Sequence, residues 1–164
     1  MLPQYSNKIN SAKSKKRETQ KLIAFLQSKR PSDLDTVTNS LHDKAFENID
    51  CLLCANCCKT TGPLLLSKDI SRLANAVKLT EGNFSKNYLK TDAEGDVIFN
   101  KMPCMFLSSD NYCSVYNARP NACREYPHTQ QNKVIQKLEI TLQNSMICPA
   151  VADVVDGLKK HYQF

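Results

Sequence analysis

The chain has 164 residues, 41% apolar and 23% charged, with a net charge of +6, no tryptophan and eight cysteines. That length fits one domain with an extension. The composition excludes collagen-like and wholly disordered chains, and no apolar run approaches the ~18 residues of a membrane-spanning helix.

The charge is concentrated at one end. Residues 1–30 carry Lys8, Lys13, Lys15, Lys16, Arg17, Lys21, Lys29 and Arg30 against Glu18 alone, which leaves 14 basic against 15 acidic residues in the remainder. This asymmetry predicts a basic helical arm over residues 1–31 and a cysteine-bearing domain over 32–164. Residues 1–10 lack the apolar stretch of a secretory signal, so the expected location is cytoplasmic, where thiols stay reduced. In that setting eight cysteines read as metal ligands before disulfides.

In chain order, residues 12–29 read as a helix, with Leu22, Ile23, Phe25 and Leu26 apolar and Pro31 ending it. Ser32 is the predicted cap of a second helix that places Leu34, Val37, Leu41 and Ala45 on one face. Gly62-Pro63 breaks the chain after the first cysteines. Ser67 and Thr80 are the predicted caps of helices over 68–78 and 81–90. Residues 91–96 read as a turn, Val97–Phe99 as a short strand, and Cys104–Leu107 with Tyr112–Val115 as a small hairpin. Residues 117–126 read as a helical turn. Leu138, Ile140 and Leu142 alternate with Glu139 and Thr141, which predicts a strand. Pro149 opens a last helix carrying Val151, Val154, Val155 and Leu158.

The chemical signal is Cys51-Leu-Leu-Cys54-Ala-Asn-Cys57-Cys58, four thiols within eight residues. Thiolate is the soft ligand that zinc and iron–sulfur clusters select. The C-x-x-C-x-x-C spacing is that of a ferredoxin run, in which a distant Cys-Pro completes the cluster. Here Cys148 precedes Pro149. The spacing therefore predicts a centre of Cys51, Cys54, Cys57 and Cys148. Cys58 is expected to point away from Cys57 and to join Cys104, Cys113 or Cys123. The expected fold class is α+β: a mostly helical small domain with a short antiparallel sheet, organised around a cysteine-ligated metal site.

Further blocks follow in order: Pro103-Cys104-Met105-Phe106-Leu107, then Cys113-Ser114-Val115-Tyr116-Asn117-Ala118-Arg119-Pro120-Asn121-Ala122-Cys123-Arg124-Glu125-Tyr126-Pro127, then Cys148-Pro149. Together with the first run they resemble the CxxCxxCC family of zinc- or iron-chelating proteins over about residues 50–150. The resemblance implies a small cysteine-ligated metal domain; the candidate ligands are Cys51, Cys54, Cys57, Cys58, Cys104, Cys113, Cys123 and Cys148, enough for two four-thiolate sites or for one site with spare thiols. A similar cysteine cluster occurs in flagellin lysine N-methylases, where it looks like an iron–sulfur site. The final Cys-Pro of the family is often followed by Gly, whereas Ala150 stands here.

A four-thiolate centre is anionic, so Arg119, Arg124 or Lys59 is a candidate donor of charge-assisted hydrogen bonds to sulfur. His42, His128 and His161 sit at no paired ligand spacing and are expected at the surface. No G-x-S-x-G, P-loop, G-x-G-x-x-G or H-E-x-x-H motif is present, which leaves catalysis undecided. The expected function is chelation of an iron–sulfur cluster or zinc. The alternatives are a redox or methyl-transfer accessory enzyme using the centre, and a nucleic-acid adaptor. Expected partners are the metal ion or cluster, with a protein or nucleic acid at residues 1–30 and no membrane.

Overall fold

The computed structural model describes all 164 residues, in two compact units. The first unit combines Met1–Cys54 with Pro127–Phe164; the second is the continuous stretch Ala55–Tyr126. The fold is mostly helical with one two-stranded antiparallel sheet, as the α+β expectation required.

In the first unit, α1 (Pro3–Ser14) and α2 (Lys16–Lys29) replace the single helix expected over 12–29. Pro3 starts α1 at a position where its missing N–H costs nothing. Tyr5 and Ile9 of α1, and Leu22, Ile23 and Leu26 of α2, are buried in this unit. Lys13, Lys15, Lys16, Arg17 and Lys21 remain exposed. The next helix, α3 (Leu34–Phe46), starts after Asp33 rather than being capped by Ser32. The Asp33 carboxylate is engaged elsewhere, accepting from the Tyr162 hydroxyl at 2.9 Å and meeting His161 Nε2 at 3.1 Å.

The segment expected as a strand is instead a helix, α9 (Leu138–Ser145). Leu138, Thr141, Leu142 and Ser145 are its buried face, a spacing of three and four residues, while Ile140 faces solvent. The apparent alternation arose because Ile140 is apolar without being buried. The last helix, α10 (Pro149–His161), begins at Pro149 as expected and buries Val151, Val154, Val155 and Leu158. Gly157 lets α3 approach closely, because a Cβ there would meet the Leu41 methyls.

The second unit holds α6 (Ser67–Ala76), α7 (Glu81–Tyr88) and strands β1 (Leu89–Thr91) and β2 (Val97–Phe99). The strands pair antiparallel with Leu89 opposite Phe99. Thr80 caps α7 by accepting the Asn83 N–H at 3.3 Å. Ser67 is not the cap of α6; the Asp69 carboxylate instead accepts the Leu66 N–H at 3.1 Å. Leu65, Leu73, Phe84, Phe99 and Phe106 form the core. Phe106 stacks on Phe84 with centroids 6.3 Å apart and meets Phe99 edge-on at 5.7 Å.

Candidate metal centre

The first four cysteines lie on two short helices. Cys51 and Cys54 begin and end α4 (Cys51–Cys54), and Cys57 and Cys58 lie in α5 (Asn56–Thr60). Between them Ala55 is left-handed (φ 48°), a conformation uncommon for a residue with a Cβ. That residue interrupts the run at the point where the first unit gives way to the second.

Within the first unit, Cys148 immediately precedes α10 and is buried. Burial pushes its thiol up to about 12. The backbone N–H groups of Val151 and Ala150 oppose that rise, although the sulfur forms no full cap bond. Cys51 and Cys54 are close enough to raise it further by charge. These three cysteines therefore share a neighbourhood. Two contacts hold the start of the run in place: the Asp50 N–H donates to the Tyr5 hydroxyl at 3.1 Å, and the Leu52 N–H to the Asp50 carboxylate at 2.7 Å. Met1 Sδ lies 3.9 Å from Cys54 Sγ. Sequence reasoning missed this soft neighbour because a single thioether at a chain end carries no spacing signal.

Within the second unit, Cys58, Cys104, Cys113 and Cys123 act on one another electrostatically. The Cys104 N–H donates to the Cys58 carbonyl at 2.9 Å, which ties α5 to the next cysteine. The hairpin expected around residues 104–115 is reduced to one bridge, Leu107 with Cys113. Each arm instead curls into a turn that starts at its cysteine: Leu107 N–H to Cys104 carbonyl at 3.0 Å, and Tyr116 N–H to Cys113 carbonyl at 3.1 Å. Phe106 in the first turn anchors it in the aromatic core. Cys123 sits in α8 (Asn121–Glu125).

The acidities follow from these surroundings. Burial pushes Cys123 up to about 12, and raises Cys104 and Cys113 too. Backbone N–H groups counter this at Cys104, from Phe106 and Leu107, and at Cys113, from Val115. Cys58 goes the other way, down to about 7, because Cys57 hydrogen-bonds to it and the Arg119 and Lys59 cations favour its thiolate. The Cys57 and Cys58 sulfurs are 4.0 Å apart. They do not point to opposite sides, because α5 is helical there and successive side chains are offset by only about 100°.

No three His, Cys, Asp or Glu side chains converge as a metal-holding group. The donor chemistry nonetheless fits a thiophilic metal. In the second unit four thiols act on one another electrostatically, and the Arg119 guanidinium, which favours the thiolates of Cys58, Cys113 and Cys123, has a buried Nε with no hydrogen-bond partner. A soft anionic centre would satisfy both. The histidines contribute little: His42 Nδ1 meets the Thr129 hydroxyl at 2.7 Å, and His161 meets Asp33. His128 is buried, 8% exposed, contrary to the surface placement expected, because it follows Pro127 into the packed first unit.

Comparison with protein families decides the assignment. The model of the CxxCxxCC family, described as a "putative zinc- or iron-chelating domain", matches residues 50–149. The chain belongs to the CxxCxxCC family. The match covers more than half of the chain and encloses all eight cysteines. Metal binding through a cysteine cluster is thus the property the family supports. No curated protein and no solved structure shows a significant match. No helix is long and apolar enough to cross a membrane.

Proposed function

We propose that this protein is a non-catalytic metal-binding module whose cysteines hold an iron–sulfur cluster or zinc. The observation that carries the reading is that Cys58, Cys104, Cys113 and Cys123 act on one another electrostatically within one unit, with the Arg119 cation favouring the thiolates of Cys58, Cys113 and Cys123. These four are the proposed ligands in the second unit, and Cys51, Cys54 and Cys148 the proposed ligands in the first. Cys57 is the remaining thiol of the run, beside Cys58. The C-x-x-C-x-x-C spacing favours iron–sulfur as the first reading. The backbone N–H groups facing Cys104 and Cys113 equally suit a single zinc or iron ion, where such donors orient the sulfurs. When bound, a cluster supplies one-electron chemistry and zinc supplies a structural cross-link. The chain's own part is to bring soft donors from distant segments together and to balance their charge.

Anaerobic purification with metal and sulfide analysis tests the proposal. Iron with acid-labile sulfide and a broad band near ~400 nm means a cluster, and stoichiometric zinc without colour means a zinc site. Protein that takes up neither refutes the reading. A second activity, docking of an anionic partner, is favoured by the exposed Lys13, Lys15, Lys16, Arg17 and Lys21. A nucleic-acid partner requires affinity that falls steeply with salt, since neutralised phosphates release counterions.

A further inference from the structure

Arg119 is held on its side chain by an aromatic ring and on its main chain by two other arginines. Its guanidinium carbon lies 3.5 Å from the Tyr116 ring centroid, so the ring face positions the charge. Its main-chain carbonyl accepts from Arg72 Nη2 at 2.7 Å and from Arg124 Nε at 3.1 Å. Arg72 is in turn paired with Asp69, whose side chain is buried and also accepts the Asn121 N–H at 3.1 Å. The backbone under Arg119 is therefore clamped independently of its side chain.

The side chain itself is incomplete. Nε is buried and has no hydrogen-bond partner. A buried donor left unpaired loses its hydration without compensation, so native structures rarely keep one without a reason. The groups that feel the Arg119 charge are Cys58, Cys113 and Cys123, and at Cys58 it is the strongest charged neighbour. A neutral thiol is a weak acceptor, whereas a metal-bound thiolate is anionic and accepts well.

We propose that Arg119 is the outer donor of the metal centre, its buried Nε–H hydrogen-bonding a metal-bound sulfur, that of Cys58 foremost. This rests on the proposed function and adds a non-cysteine residue to it. Arg119 is a positioning residue: it touches the ligand sulfur rather than the metal. Lysine in its place would keep the charge but lose both the planar stack on Tyr116 and the directed Nε–H.

The test uses the full chain loaded with 113Cd2+, a spin-active thiophilic ion, and 15N labelling. A hydrogen bond to a ligating sulfur gives the Arg119 Nε proton slow exchange and a resolved coupling to 113Cd. Arg119→Lys should lose that signal and weaken Cd2+ binding about tenfold, the low end of effects seen when outer donors are removed. The metal-free melting temperature should match the wild type, because the clamped carbonyl is retained. Wild-type protein that binds Cd2+ while its Nε proton exchanges fast and uncoupled overturns the assignment of Arg119 alone. So does unchanged Cd2+ affinity in Arg119→Lys. Wild-type protein that takes up no Cd2+ overturns the metal-binding reading, and this inference with it.

Discussion

Replacing Asp69 should loosen the second unit more than any other single change to a charged residue there. Asp69 is 1% exposed and holds three partners: the Leu66 N–H, the Arg72 guanidinium and the Asn121 N–H. The bond to Arg72 joins two charges and is worth about 1.5–3 kcal/mol, and each backbone bond about 1 kcal/mol. Asp69→Ala would also leave Arg72 without its counter-charge at a partly buried site, a change that typically costs about 3–5 kcal/mol in all. Asp69→Asn keeps the shape and one acceptor, and should cost about half as much. Urea titration followed by the methyl signals of Leu65 and Leu73 reports this unit by itself. With a denaturant slope near 2 kcal/mol per molar, the Ala variant's midpoint should fall by roughly 2 M. The same variant should retain metal poorly, because Asn121 opens the helix that carries Cys123. A midpoint within about 0.3 M of the wild type would refute the view that Asp69 organises the segment behind the thiols.

Metal-free protein should lose stability in alkali. The folded-state acidities of Cys123 and Cys148 stand near 12, above the usual thiol range, so the folded state binds more protons than the unfolded one from about pH 9 upward. Their stabilisation is full below about pH 9 and lost as pH approaches 12; a flat thermal midpoint across that window would contradict it. Gly157→Val should destabilise the first unit by about 2 kcal/mol through collision with Leu41, measurable by chemical denaturation, and Leu41→Ala in the same chain should restore part of the loss. Chelation should lower the melting temperature of metal-loaded protein, since a ligand bound only to the folded state stabilises it by mass action; equal midpoints would mean the metal does not support the fold. Phe106→Ala should cost about 3–5 kcal/mol and impair metal loading together, because the ring fixes the turn that carries Cys104.

Much of the helical framework was legible because it depends on local chemistry. Pro149 announces α10, Thr80 caps α7, and Val97–Phe99 is a strand beside a Gly95 turn. The errors came where a tertiary partner overrode a local preference. Asp33 turned to Tyr162 and His161, and Ser32 left the cap empty. Ile140 mimicked a strand pattern from the solvent side of α9. The cysteines were legible as a set, and the family match covers them all. The expected grouping departs at Cys57, which lies beside Cys58 because Ala55 breaks a run that spacing alone treats as one motif. Arg119 could be named as a candidate from its charge. Its stacking on Tyr116 and its unpartnered Nε arise from contacts across the fold that no motif encodes.

The second unit interrupts the first, and this orders events during synthesis. Residues Ala55–Tyr126 are contiguous, so every residue of that unit is in the chain before α9 or α10 begins. The helices α1, α2 and α3 emerge earlier but bury their apolar faces in a unit that also needs α9 and α10. At about 5–20 residues per second, the remaining residues 127–164 take roughly 2–8 s to translate. During that interval Leu22, Ile23 and Leu26 lack their final partners, while Cys58, Cys104, Cys113 and Cys123 are all already in the chain. In the proposed ligand sets, Cys51 and Cys54 must wait for Cys148. On that proposal the later-starting unit has its full set of thiols first, and the earliest helices are the ones most in need of protection from aggregation.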